Sequence, residues 1–218
     1  FQLRRELGLD LAKLYPNIDV DNIGYIPDSG RGVGAGFAEG YSMPLREILI
    51  KNKHLVKTYN VFNPEKRMRK VALKFNPIRT FTQGRVIATD DSIVKGSVSV
   101  GGALDKLRYG GAEWIGMVIS YAAIFFRCMG EFYNFHVRAA EDMWRMPRDE
   151  INKRIAGKIG ADAVFYNTPE GVRKIFGPNV CMACVDGNFP VKDVYFPPEL
   201  RRDLDNFRNE QDKPFFKQ

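Results

Sequence analysis

Histidine and cysteine are scarce in this chain, at two and three residues among 218. Two histidines leave imidazole acid–base chemistry little to draw on. Three cysteines are an odd number for a disulfide framework. No run of about eighteen apolar residues is present, so no membrane-spanning helix is expected, and the first residues carry no secretory signal pattern. The expectation is a soluble, cytoplasmic protein. Internal repeats and low-complexity tracts are absent too. The first residue is Phe1 rather than methionine, which suggests a fragment, a processed product or further residues upstream. What the chain does have is enough apolar content, 44%, to bury one good core with room for a small appended subdomain.

Its net charge of +7 raises the question of nucleic acid, and the distribution argues against it. Lys51, Lys53, Lys57, Lys66, Arg67, Arg69, Lys70, Lys74 and Arg79 face one acid, Glu65, within a single stretch. That excess of eight is larger than the charge of the whole chain, so the remainder is close to neutral. A basic segment needs explaining, and a nucleic-acid partner is not expected.

The most informative stretch is Arg85 to Ser99, R-V-I-A-T-D-D-S-I-V-K-G-S-V-S. Val86 to Thr89 is short, apolar and rich in β-branched residues, and it reads as a buried strand that stops at Asp90 and Asp91. Ser92, Gly96, Ser97 and Ser99 follow, and then Val100, Leu104 and Leu107 recur at helical spacing. A helix start leaves backbone N–H groups unpaired and carries partial positive charge, so a loop of small residues there can wrap a phosphate with amides. The hydroxyls of Ser92, Ser97 and Ser99 add donors. Paired carboxylates accept hydrogen bonds from vicinal hydroxyls and bind Mg2+ directly or through water. A sugar phosphate satisfies both ends of the motif; a plain Asp-Asp-Ser helix cap is the competing reading.

In chain order, Leu3, Leu7, Leu11 and Leu14 share one face of a helix that stops at Pro16-Asn17. Ile23 to Ile26 reads as a strand that enters P-D-S-G-R-G-V-G-A-G, Pro27 to Gly36. Glycine at that density suits a close approach of backbone to ligand or, equally, a tight strand-to-helix turn. Leu45 to Ile50 reads as a further apolar strand leading into the basic segment, and Trp114 to Ser120 as another. Cys181 and Cys184 form C-M-A-C, with Cys128 well before them. A lone CxxC stands for a metal, a redox pair or coincidence, and three cysteines are one short of a four-cysteine site. From Glu199 the charges mix evenly, as in a surface helix or a disordered tail. Strands alternating with helices predict an α/β fold with a mostly parallel sheet and a ligand at the carboxyl ends of its strands.

The apolar strand leading into Asp90, Asp91, Ser92, Ile93, Val94, Gly96, Ser97 and Ser99 closely resembles the signature of type I phosphoribosyltransferases. Its I-V-K-G form resembles the I-V-R-G of glutamine phosphoribosylpyrophosphate amidotransferases, which catalyse the first committed step of purine synthesis; Lys95 stands for the usual arginine and Val98 for a threonine. The resemblance extends to Pro27-Asp28-Ser29, to K-N-K-H-L-V-K-T-Y at Lys51 to Tyr59, to R-M-R-K-V-A-L-K-F-N-P at Arg67 to Pro77, to I-G-A-D at Ile159 to Asp162 and to C-M-A-C-V-D-G-N-F-P at Cys181 to Pro190. Departures fall at His54, where the family has tyrosine, and after Cys128, where C-M-G-E replaces C-F-Y-G.

What the resemblance implies is a type I phosphoribosyltransferase fold with a mobile basic lid over about 51–80. The domain would span 1–198, with a cysteine-bearing region over about 121–190 and a charged tail over 199–218. Asp90, Asp91 and Lys51 would be catalytic. Ser92, Ile93, Val94, Lys95, Gly96, Ser97, Ser99, Asn52 and Lys53 would bind substrate. Ser29 with Asp90 and Asp91 would hold Mg2+, and Cys128, Cys181 and Cys184 a [4Fe-4S] cluster or Zn2+ whose fourth ligand lies elsewhere. The implied reaction makes 5-phosphoribosylamine from phosphoribosyl pyrophosphate and ammonia in a homo-oligomer. No glutaminase domain is found in these residues, so ammonia would come free or from a separate glutaminase chain. A base-salvage phosphoribosyltransferase and a non-catalytic sensor of phosphoribosyl pyrophosphate are the rival readings.

Overall fold

The computed structural model describes residues 1–52, 74–94, 99–126, 140, 143–192, 196 and 198–211. Its centre is a five-stranded sheet in the order β2-β1-β5-β6-β7, formed by β1 (Asn22–Tyr25), β2 (Leu45–Arg46), β5 (Gly84–Asp90), β6 (Ala112–Ile119) and β7 (Ala163–Tyr166). Every pairing in it is parallel. A separate antiparallel pair, β3 (Leu49–Lys51) with β4 (Phe75–Pro77), stands beside it. The parallel sheet predicted from alternating strands and helices is therefore present. Leu45 to Ile50, expected as one strand, is instead broken between two sheets, and Ile48 packs fully buried between the pieces.

β5 lies mid-sheet, and from Val86 onward all its residues are buried, which is why it reads as an uninterrupted apolar run. Strand periodicity sends successive side chains to opposite faces. Val86 and Ala88 join one cluster with Leu104, Leu107, Ile115, Met117, Ile119 and Ile155. Ile87 joins the other, with Leu11, Ile23, Val33, Phe37 and Val118. The first cluster is covered by α3 (Ser99–Gly110) and α4 (Arg148–Ile159), the second by α1 (Gln2–Leu14) and α2 (Arg31–Gly40). Gly116, on the second face of β6, leaves the space in which the Trp114 ring lies; a methyl there would stand 2.5 Å from it.

Of the predicted leucine stripe of α1, Leu7 and Leu11 are buried, while Leu3 and Leu14 stay exposed. Three further helices follow β7: α5 (Pro169–Phe176), capped by the Thr168 side chain accepting from Gly171 N at 2.9 Å, then α6 (Ala183–Asp186) and α7 (Pro198–Gln211). Charged as α7 is, it buries Leu200 and Leu204 with Phe126 and Phe196. Among the described residues no helix is long and apolar enough to cross a membrane.

Candidate active site

Parallel strands all deliver their carboxyl ends to one edge of the sheet, and two loops meet there. β5 ends at Asp90, 6% exposed, followed by half-buried Asp91. β1 runs into Ile26-Pro27-Asp28-Ser29-Gly30 before α2 begins. The second loop is sewn to the end of β5: Ile26 N donates to Thr89 O at 2.9 Å, and the Thr89 hydroxyl donates to Gly24 O at 3.1 Å and Gly30 O at 3.0 Å. Gly30 is obligatory on steric grounds, because a methyl on it would overlap the Thr89 carbonyl.

Three carboxylates result, each met by a partner from a different part of the chain. The Ser29 hydroxyl donates to Asp90 Oδ1 at 2.6 Å. Lys51 Nζ, at the end of β3, donates to Asp28 Oδ2 at 2.6 Å. Arg4 of α1 lies 3.5 Å from Asp91 Oδ2. Burial pushes the Asp90 carboxyl up to about 6; the Ser29 hydrogen bond opposes the shift and the neighbouring Asp91 charge adds to it. Lys74 is half-buried at the base of β4, tied to β3 by Asn52 N donating to its carbonyl at 2.8 Å. Burial and then the nearby Lys51 lower the Lys74 ammonium, while the charges of Asp90 and Asp28 support it. Lys51 and Lys74, the described lysines on either side of residues 53–73, thereby lie near the acids.

Of the residues expected at the site, Asp90, Asp91, Ser29 and Lys51 come together. Asn52 stands next to Lys51 at the hairpin end, and Ser92 and Val94 are partly buried just beyond the acids. Ile93 is 2% exposed and packs with the apolar core, so only its backbone faces the loop. Ser99 opens α3 as the spacing requires. Lys53, Lys95, Gly96, Ser97 and Cys128 lie outside the described residues. So does most of the basic segment read as a lid.

The glycines of Pro27 to Gly36 include some that serve packing: within α2, Gly36 abuts the Arg5 carbonyl of α1, and Gly34 lies against Leu45 and Thr89 of the sheet. Asp28, Lys74 and Arg4 also belong to the site and were not singled out as site residues. A charge count held Lys74 and the P-D-S motif held Asp28, but nothing local to Arg4 pointed to it.

Apart from this edge, Cys181 is exposed and Cys184 half-buried. The Tyr121 hydroxyl donates to Met182 Sδ at 3.2 Å and lies 3.7 Å from Cys184 Sγ. Burial and the adjacent thiols raise its phenol well above the ordinary range. Among the described residues no three His, Cys, Asp or Glu side chains converge as for a metal ion.

A parallel sheet flanked by helices, whose middle strand ends at Asp90 with Asp91 and Ser92 next in the chain, is the type I phosphoribosyltransferase fold. No protein-family model matches the chain. Curated relatives do: it is 31% identical over 205 residues to the amidophosphoribosyltransferase of Methanocaldococcus jannaschii, covering 93% of this chain and 42% of the relative. Against that of Synechococcus elongatus it is 33% identical over 209 residues, covering 93% and 40%. Among solved structures, glutamine phosphoribosylpyrophosphate amidotransferase from B. subtilis, complexed with ADP and GMP, superposes with a TM-score of 0.73 at 27% identity, covering 88% of this chain and 42% of that one. The chain is similar to amidophosphoribosyltransferases along nearly all of its own length and spans about two fifths of the length of the curated relatives it matches.

Proposed function

We propose that this chain binds phosphoribosyl pyrophosphate at the carboxyl edge of its sheet and transfers the phosphoribosyl group to ammonia, giving 5-phosphoribosylamine and pyrophosphate. One observation carries the reading: at the carboxyl edge of the sheet Ser29 is hydrogen-bonded to Asp90 beside Asp91, Lys51 is held on Asp28, and Lys74 lies within the field of Asp90 and Asp28. Such a site offers oxygen acceptors to ribose hydroxyls, cations to a pyrophosphate and unpaired amides to a 5-phosphate. The relatives' names favour it over a base-salvage transferase or a sensor.

Asp90 and Asp91 accept hydrogen bonds from the ribose hydroxyls. Ser92 to Ser99, with Ile93 and Val94 contributing backbone and Lys95, Gly96 and Ser97 completing the turn, receives the 5-phosphate. Lys51, with Asn52, Lys53 and Lys74, faces the pyrophosphate. Lys51 is held on Asp28 before substrate arrives, so charge developing as the C1–O bond breaks meets a cation that needs little reorganisation. The electron pair of that bond leaves with pyrophosphate. Ammonia forms the new C1–N bond from the opposite face and loses a proton to water. Deprotonated ammonia needs no general base, in keeping with a histidine-poor site. The ammonia arrives free or from a glutaminase, and the protein works in the cytoplasm as a homo-oligomer.

Mg2+ suits this donor set. It is usually held by one or two carboxylates together with substrate phosphates rather than by an all-protein cage, and the edge supplies hard oxygens: Asp90, Asp91 and the Ser29 hydroxyl. When bound there, the ion neutralises the departing pyrophosphate. For Cys181 and Cys184 the case differs. Two thiols are fewer than a [4Fe-4S] cluster or Zn2+ requires, and the described residues do not by themselves fit either group. A sulfur site completed by Cys128 and a further ligand remains part of the proposal, and no step of the reaction runs through it.

Calorimetry of phosphoribosyl pyrophosphate with Mg2+ tests the site directly. Asp91→Asn should weaken binding by at least about tenfold, as expected when a charged hydrogen-bonding group worth about 1.5–3 kcal/mol is lost. Unchanged affinity would take Asp91 out of the site.

A further inference from the structure

Arg4 stands far from both catalytic loops in the chain, yet it touches both. α1 crosses α2 at close range because neither helix carries a side chain at the contact: a methyl on Gly8 would stand 2.7 Å from Phe37 N, and one on Gly36 would overlap the Arg5 carbonyl. That crossing carries the first turn of α1 over the loop after β1. Arg4 Nη1 donates to Ser29 O at 3.1 Å, and Nη2 lies 3.5 Å from Asp91 Oδ2. Gly32 makes room for the arginine stem, since a Cβ there would meet Arg4 Cβ at 2.8 Å. Glycines thus let the two helices close on each other, and one of them, Gly32, leaves the space that the Arg4 stem crosses.

We propose that Arg4 is a positioning residue that clamps the loop bearing Ser29 to Asp91, so that the two loops present their oxygens in one fixed arrangement. The inference rests on the reading of this edge as the phosphoribosyl site. Guanidinium is suited to the task because its donors are held in a rigid planar fork, whereas an ammonium is a point charge. The Asp91 carboxylate and the Ser29 carbonyl are acceptors on separate loops, and one fork reaches both. With side-chain exposures of 48% for Arg4 and 36% for Asp91, the ion pair adds little to stability. Its value is geometric. Catalysis depends on placement, and an error of about 1 Å can cost on the order of a hundredfold in rate.

Arg4→Ala tests this in the full chain with two readouts. The first is amide hydrogen exchange in the ligand-free protein. Gly30 N, which donates to Ile26 O at 3.1 Å within the clamped loop, should exchange at least about tenfold faster, with the melting temperature nearly unchanged, because loop opening is a local event. The second is steady-state kinetics with ammonium. Here kcat should fall about 10- to 100-fold while KM for phosphoribosyl pyrophosphate moves less than about threefold. Millimolar guanidinium ion should restore part of the lost rate and methylammonium should not. Gly32→Ala, which crowds the stem without touching either loop, should give the same pattern in milder form. Unchanged exchange at Gly30 overturns the clamp. A rise in KM with kcat intact overturns it too, making Arg4 a substrate contact. A wild-type chain that releases no pyrophosphate, in which Arg4→Ala nonetheless quickens Gly30 exchange, counts against the proposed reaction and supports the clamp.

Discussion

Asp90 sits where an ionised carboxylate is costly. Its carboxyl is nearly buried at the end of β5 beside a second carboxylate, and burial raises it to about 6 against 3.8 for a free side chain. The folded protein therefore holds this proton more tightly than the unfolded chain does. By linkage, the penalty is absent below about pH 4 and grows as pH rises through about 6, so stability falls over that window. Asp90→Asn removes the penalty. Both donors to this side chain, Ser29 Oγ and Asp91 N, fall on Oδ1, which asparagine keeps. In metal-free buffer the variant should exceed wild type by on the order of 2–3 kcal/mol at neutral pH, with the gap closing below about pH 4 in urea unfolding. A variant less stable at every pH would refute the assignment of the shift to burial. Turnover should be lost in the same variant, a trade of stability for function that sites of this kind often show.

Legibility at the residue scale followed sequence locality. Asp90 and Asp91 stand out in the sequence because an apolar strand running into paired acids is a local pattern, whereas Ser29 and Lys51 are pointed to by the family resemblance of P-D-S and K-N-K. Arg4 was not legible, since its role depends on the packing of α1 against α2, which no stretch around Arg4 encodes. Ile93 shows how a motif residue can divide its roles, its backbone left to the expected phosphate cradle. It lies inside the motif, but its side chain turns back into the core with Ile26 and Phe75.

Elements were read well where periodicity was long. β5, β6 and α3 fall close to where apolar runs and helical spacing put them. Leu45 to Ile50 was too short for its pattern to show that Arg46 ends one sheet and Leu49 begins another. Glycine density was the harder signal, because glycine permits a ligand, a turn or a neighbouring helix to come close, and only the tertiary structure decides among them. Two helix substitutions separate these uses. Gly36→Ala drives a methyl into the Arg5 carbonyl and should cost about 1–3 kcal/mol as overpacking, despite alanine's better helix propensity. Gly157→Ala, inside α4 with nothing within 4 Å of its added carbon, should stabilise by about 0.5–1 kcal/mol. Thermal melts give both signs. A neutral Gly36→Ala would mean that α1 and α2 do not meet as closely as described, and with that the route by which Arg4 reaches the site would fail.

At the scale of the whole molecule, two facts frame the function. The chain matches amidophosphoribosyltransferases along 93% of its own length but only about two fifths of theirs, and the part it matches holds the phosphoribosyl chemistry in the present reading. The parallel sheet brings its acids to one edge, and the β3–β4 pair places Lys51 and Lys74 near them. In the proposed reaction, a substrate carrying a phosphate and a pyrophosphate needs neutralising at one place, which would account for the concentration of basic residues in one stretch of sequence.

Pyrophosphate release from phosphoribosyl pyrophosphate and Mg2+, with ammonium as nitrogen source and a nitrogen-free blank, tests the central claim most directly. The expected result is ammonium-dependent release by the chain itself that Asp91→Asn abolishes, with glutamine in place of ammonium giving no more than the blank. Wild-type release no greater than the blank with ammonium, or release that survives Asp91→Asn, would contradict it.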